Sequence, residues 1–138
     1  MNSIAYDSMS DLISGIGYAC REIDLGEEVR RISGRALEKD VNRYPGQGLI
    51  DAYRDMGFVS NPAMPGFDMC RLLEERVGNC VEISALSILI GKYLGWDICA
   101  KRVPNHMYVH LCIKNRHADL EVLSFDRPMC DDDGYARK

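Results

Sequence analysis

The stretch RVGNCVEISALSILIGKYLGW, residues 76–96, joins a short polar turn to one of the most apolar runs of the chain. From Cys80 to about Leu94, apolar side chains cover most of the circumference of a helix, so we expect this helix to be buried on several sides. The stretch therefore predicts a central helix that begins at Cys80 and around which the domain folds.

The chain changes character after Gly95, where three β-prone segments are separated by the turn signals PN and KNR. The middle segment alternates apolar residues such as Val109 and Leu111 with more polar ones such as His110, so one face belongs to the core. This pattern predicts a three-stranded antiparallel meander. The three segments are WDICAKRV, HMYVHLCI and HADLEVLSF.

Helical patterns dominate the first half of the chain. Residues 4–39 suit one or two amphipathic helices, with a break near Gly26, and GLIDAYRDMGF and DMCRLLEERV suit two more. We therefore expect an α+β fold in a single domain, residues 1–138. Its helical part is residues 1–75, its core is residues 76–126, and residues 131–138 form a flexible tail.

Composition excludes several classes of protein. With 138 residues, 46% of them apolar, the chain can bury a core as one domain. A net charge of −4 and scattered Lys and Arg residues provide no basic face, so we expect no nucleic acid partner. We expect no cleaved signal peptide and no membrane span, because the N-terminal residues lack a basic region followed by an apolar one and the longest apolar run is short. We expect a cytoplasmic monomer, or one delivered by a specialised secretion system, with its six cysteines reduced.

Cys80 is the first candidate for chemistry because of its place at a predicted helix N-terminus. Free N–H groups and the helix dipole there favour a thiolate and can stabilise an oxyanion. Gly78 would let the chain turn sharply and let a substrate approach closely. The competing interpretation is that Cys80 packs in the core as a small hydrophobic residue.

His106 is the best placed of three histidines, since it follows VPN at the start of a strand beside a loop. His110 lies on the same face and could support the site or lie at the surface, whereas His117 falls in the hairpin turn. A structural role is the alternative for each. After a candidate nucleophile, Cys80, and a candidate base, His106, the next strand is where we expect an acid that orients the histidine.

Two acids on that strand are candidates for orienting His106. If Asn115-Arg116 is the hairpin turn, Asp119 faces Cys112 and Glu121 faces His110, and both acids share the face of His106. Glu121 is slightly favoured by register, while Asp is the commoner partner of a catalytic His. A metal site is disfavoured because His106, His110 and Cys112 would spread over about 20 Å of strand. We expect neither a metal nor another cofactor.

The segment RVGNCVEISALSILIGKYLGWDICAKRVPNHMYVHLCI resembles the core of the transglutaminase-like superfamily of papain-fold cysteine enzymes. The resemblance covers about residues 70–126 and implies a papain-like core, with the helix that begins at Cys80 packed on a small antiparallel sheet. It makes Cys80 the nucleophile, His106 the general base and then acid, and Glu121 or Asp119 the partner of His106. Most relatives have Asp, or sometimes Asn, in that last role. Asn79 could add a side-chain donor beside the oxyanion.

The resemblance implies acyl transfer from an amide through a thioester on a protein or peptide substrate. Deamidases, peptidases or amidases, and transglutaminases all belong to such families, and a bacterial effector or toxin would fit a chain of this size. Some members have lost activity, so a non-catalytic interaction module is the alternative function. A structural domain without a site is the third.

Overall fold

A computed structural model describes residues 25–39, 45–121 and 129–130, and within these ranges the fold is a mixed α+β structure. The predicted tail, residues 131–138, lies outside the described residues. The helices are α1 (Leu25–Lys39), α2 (Gln47–Asp55), α3 (Met69–Glu75) and α4 (Cys80–Tyr93). The strands are β1 (Val59–Ser60), β2 (Val77–Gly78), β3 (Asp97–Val103), β4 (His106–Ile113), β5 (Arg116–Leu120) and β6 (Met129–Cys130).

Helix α4 is the central element of the described fold. Every residue from Glu82 to Gly91 is buried, because the helix packs against β3 and β4 on one side and α1 and α3 on others. The contact with the sheet is close at Gly91, where an added Cβ would lie 2.8 Å from Cγ2 of Ile98. The predicted central helix beginning at Cys80 is confirmed.

The other helices flank α4. Helix α1 packs against both α2 and α4. Gly26, near which a helix break is predicted, lies in the first turn of α1, and residues 1–24 before that helix lie outside the described residues. Helix α3 begins after Asp68, whose side chain accepts a hydrogen bond from the N–H of Arg71 and so caps the helix. Within the described part of the chain, no helix has both the length and the apolar character needed to cross a membrane.

Strands β3 to β6 form one antiparallel sheet in sequence order. The predicted meander is confirmed, with the short strand β6 added at its edge. The last predicted strand ends early, at Leu120, and residues 122–128 lie outside the described part. Val109 and Leu111 lie in the core, as does Ala118 of β5. The separate pair β1 and β2 is parallel and joins the segment before α3 to the turn before α4.

The β4–β5 hairpin turns one residue earlier than predicted. Its turn residues are Lys114 and Asn115, both with positive φ (52° and 63°), as a two-residue type I′ turn requires. The expected pairings of Asp119 with Cys112 and of Glu121 with His110 are therefore both wrong. Asp119 faces His110 instead, and Glu121 follows the end of β5 one step nearer to His106.

The described cysteines are not all reduced. Cys80, Cys99 and Cys112 carry free thiols, whereas Cys70 is disulfide-bonded. The prediction that all the thiols are reduced is wrong for Cys70, because sparse spacing in the sequence says nothing about which thiols meet in space.

Candidate active site

A cleft of about 470 Å³ lies between the N-terminus of α4 and the hairpin that joins β3 to β4. Its volume is within the range of about 300–1,000 Å³ that is typical of ligand pockets. The cleft brings together two of the predicted site residues, the candidate nucleophile and the candidate base. The lining residues are Cys80, Val81, Arg102, Val103, Asn105, His106 and Met107.

Cys80 is the first residue of α4 and is partly exposed. The first N–H groups of a helix have no partner within the helix. The Asn79 side chain accepts the N–H of Glu82 at 3.0 Å, and no described side chain accepts those of Cys80 and Val81. The N–H groups of Cys80 and Val81 and the positive end of the helix dipole thus lie at the helix end where Cys80 begins α4, and such a position favours negative charge.

His106 lies beside Glu121. Nε2 of His106 lies 3.3 Å from Oε1 of Glu121, and each side chain is 13% exposed. The His106 ring also stacks on Tyr108, with the ring centroids 6.1 Å apart. Of the two acids left open by the sequence, Glu121 is the one that contacts His106.

Asp119 belongs to a second histidine pair. Its Oδ1 lies 2.7 Å from Nδ1 of His110, and Nε2 of His110 lies 3.0 Å from Nδ1 of His117. Asp119 is buried and His117 is exposed, so the three groups form a chain from the interior to the surface. Burial raises the pKa of the neighbouring Tyr108, and the negative charges of Asp119 and Cys99 raise it further. The one-residue shift of the hairpin turn explains why Asp119 pairs with His110.

His106 lies on the face of β4 away from α4, and this limits how its side chain can approach Cys80. Side chains alternate along a strand, so His106 shares a face of β4 with His110, while Val109 and Leu111 occupy the other face and pack in the core beneath α4. His106 is the first residue of β4 and adjoins the β3–β4 turn. It therefore reaches the cleft from the end of the strand, beside Asn105.

Asn79 has a different role from the predicted oxyanion donor. Its Nδ2 donates to the backbone oxygens of Met64 (3.0 Å) and Gly66 (2.8 Å), while its side-chain oxygen caps α4. An amide side chain has two N–H donors, and both are used. The structure therefore assigns Asn79 to tethering the loop before α3 to the start of α4.

Gly78 is buried and is not one of the residues that line the cleft. A Cβ at this position would lie 2.8 Å from Cδ1 of Leu72 and 3.1 Å from Oε1 of Glu82. Packing against α3 and the Glu82 carboxylate explains the glycine. The presence of a glycine at position 78 therefore does not require the predicted close approach of a substrate.

Glu82 is a part of the site region that the sequence reasoning missed. Its side chain is 0% exposed and forms an ion pair with Nη2 of Arg71 at 2.8 Å. It also accepts the backbone N–H groups of Asn79, at 2.9 Å, and Asp68. The spacing of Asn79 and Glu82 is that of a capping box, which could have been found in the sequence. The Arg71 contact joins two helices and has no local signal.

Comparisons with known proteins do not identify the chain. No family model matches it, and no curated protein or solved structure matches it. Within the described residues, no group of three or more His, Cys, Asp or Glu side chains could hold a metal ion. A function must therefore be argued from the cleft and the side chains around it.

Proposed function

We propose that the protein is a cysteine-dependent amide acyl-transfer enzyme of transglutaminase-like type, built on a papain-like core. Cys80 is the nucleophile, His106 is the general base and then acid, and Glu121 orients His106. The observation that supports this most is that one cleft is lined both by Cys80, at the start of a buried helix, and by His106, which contacts Glu121.

In this proposal Nε2 of His106 stays beside the Glu121 carboxylate, 3.3 Å from Oε1, and Nδ1 takes the proton of the Cys80 thiol. The thiolate attacks the amide carbonyl carbon, and the backbone N–H groups of Cys80 and Val81 stabilise the oxyanion. His106 then returns its proton to the leaving amine as the C–N bond breaks and a thioester forms. Water or a second amine resolves the thioester and frees Cys80.

The substrate that we propose is a protein or peptide. A cleft of about 470 Å³ accommodates one side chain with its neighbours, which suits deamidation, peptide cleavage or cross-linking. The disulfide at Cys70 supports a protein that works in an oxidising compartment, in keeping with a bacterial effector or toxin. We propose a monomer that needs neither nucleic acid, a membrane nor a cofactor.

Thiol labelling tests the nucleophile and the base together. Iodoacetamide at pH 6 should label Cys80 much faster than the free thiols Cys99 and Cys112, because a general base within reach increases the thiolate fraction. His106→Ala should abolish the difference, whereas His110→Ala, on the same strand, should retain it. Equal labelling of the three thiols in the unaltered protein would contradict the proposal.

Turnover tests the proposed reaction. Ammonia release from glutamine-containing peptides, together with mass spectrometry of lysate proteins, should show a product that disappears in Cys80→Ser. His106→Ala should lower kcat by roughly 10²–10⁴, the range for loss of a general acid–base group. Glu121→Gln should lower kcat more than Asp119→Asn, because Asp119 contacts His110 rather than His106. Absence of any product would count against an enzyme.

A non-catalytic interaction module is the second candidate, and one observation favours it. His106 lies on the face of β4 away from α4, so its approach to Cys80 depends on the end of the strand. In that case the cleft would hold a peptide without reacting. Peptide binding that persists in Cys80→Ala, with slow labelling of Cys80 in the unaltered protein, would favour this function.

A further inference from the structure

The charge of the cleft differs from that of the whole chain. The protein carries a net charge of −4, yet Arg102 lines the cleft and none of the lining residues is Asp or Glu. Apolar side chains of Val81, Val103 and Met107 complete much of the wall. Arg102 is thus a cation beside an apolar wall, an arrangement that suits a ligand with both an anionic and an apolar part.

Arg102 is an exposed side chain at the border of the cleft. It is exposed near the end of β3, where it pairs with Met107 of β4. In the described part of the chain, no carboxylate forms an ion pair with it. By contrast, Arg71 of α3 is paired with buried Glu82. A planar guanidinium without a protein partner can bind a carboxylate through two parallel hydrogen bonds.

Lys101 provides a comparison at the adjacent position. It is also exposed, but successive residues of a strand point to opposite faces, and Lys101 does not line the cleft. Its cross-strand partner is Tyr108 rather than Met107. Of these two neighbouring cations, Arg102 borders the same cavity as Cys80 and Lys101 does not.

We propose that Arg102 forms an anion subsite, so that the preferred substrate carries a carboxylate close to the reacting amide. "Substrate" here rests on the proposed function, but the subsite itself requires only binding. The carboxylate is that of an acidic side chain or of a peptide C-terminus, which present the same group to Arg102. The apolar wall of Val81, Val103 and Met107 contacts the rest of the peptide.

Four short glutamine peptides test the subsite. Three have an amidated C-terminus and place Glu, Gln or Lys beside the reactive glutamine, and the fourth has the neutral sequence with a free C-terminal carboxylate. Binding to Cys80→Ala is measured by fluorescence anisotropy, and kcat/KM for ammonia release is measured with unaltered Cys80. The Glu peptide should bind about tenfold more tightly than the Lys peptide, as expected for hydrogen bonds to a charged group. The advantage should fall as salt rises. If only the fourth peptide binds more tightly than the amidated Gln peptide, the carboxylate that Arg102 recognises is that of a peptide C-terminus.

Charge reversal separates a local subsite from the overall charge of the protein. Arg102→Glu should invert the preference in favour of the Lys peptide, whereas Lys101→Glu, with the same change of net charge, should leave it unchanged. Equal binding of all four peptides would overturn the inference, as would equal effects of the two variants. Carboxylate preference without ammonia release would contradict the enzyme but retain the subsite. Turnover without preference would contradict only the subsite.

Discussion

Replacement of Arg71 by Met should cost a large part of the stability of this domain. Arg71 lies on α3 and is 17% exposed, while its partner Glu82 on α4 is 0% exposed. Met retains much of the apolar stem but removes the charge. The Glu82 carboxylate would keep the N–H groups of Asp68 and Asn79 but lose its counter-ion in the protein interior.

The expected cost follows from that burial. Removal of one partner of a buried ion pair costs about 3–5 kcal/mol, because the remaining charge is neither hydrated nor paired. For a chain of this length the cost corresponds to a fall in Tm of roughly 10–20 °C. Arg30→Met is the matched control, since the Arg30–Glu27 pair is exposed on both sides (55% and 53%). Loss of an exposed pair should cost less than about 1 kcal/mol.

Urea unfolding measures both variants. The single tryptophan, Trp96, packs against the core and provides the fluorescence signal. The midpoint for Arg71→Met should fall with little change in the slope m, which reports the surface exposed on unfolding. Equal midpoints for Arg71→Met and Arg30→Met would refute the reasoning.

Combining Arg71→Met with Glu82→Gln distinguishes whether Arg71 stabilises the fold through its charge or through its packing. Glu82→Gln keeps the shape of the side chain and its oxygen but removes the buried charge. Arg71→Met in that background should cost only about 1 kcal/mol, the value of an ordinary hydrogen bond. An undiminished cost there would show that Arg71 stabilises the fold through packing.

Three further predictions concern the core. Gly46→Ala should destabilise the protein by about 1–3 kcal/mol more than Gly57→Ala, as measured by urea unfolding. Both glycines have positive φ (82° and 80°), so the backbone strain of the two substitutions is similar. Of the two, only Gly46 would bring a Cβ against side chains, those of Leu111 at 2.8 Å and Leu120 at 2.9 Å. Equal losses of stability in the two variants would contradict this prediction and show that Leu111 and Leu120 move aside freely. Tyr53→Phe should cost about 1 kcal/mol at pH 7, since it removes the buried 2.7 Å hydrogen bond between Tyr53 and Ser87. Burial also raises the pKa of Tyr53, so above about pH 10 the unfolded chain loses this proton while the folded chain keeps it, and stability falls as pH rises. Tyr53→Phe should reduce the fall between pH 9 and 11, whereas Tyr93→Phe, at an exposed position, should not.

The central helix could be predicted because its signal is local. Apolar residues around the whole circumference of α4 indicate burial whatever the partners are, and the structure buries it between the sheet and the other helices. The meander was equally readable from alternation and turn residues. The hairpin register was not, because Lys114 and Asn115 adopt positive φ in a turn one residue before the predicted one. That shift decided which acid faces which histidine.

The sequence by itself determined the α+β class, the helix that begins at Cys80 and the strand that begins at His106, since each depends on periodicity and turn chemistry within a short window. Only the tertiary structure decided that Glu121 contacts His106, that Arg71 neutralises Glu82, and that Arg102 borders the cleft. These contacts join residues on different elements. Their free energy depends on distance and on exclusion of water, which exist only once α4 and the sheet have packed together.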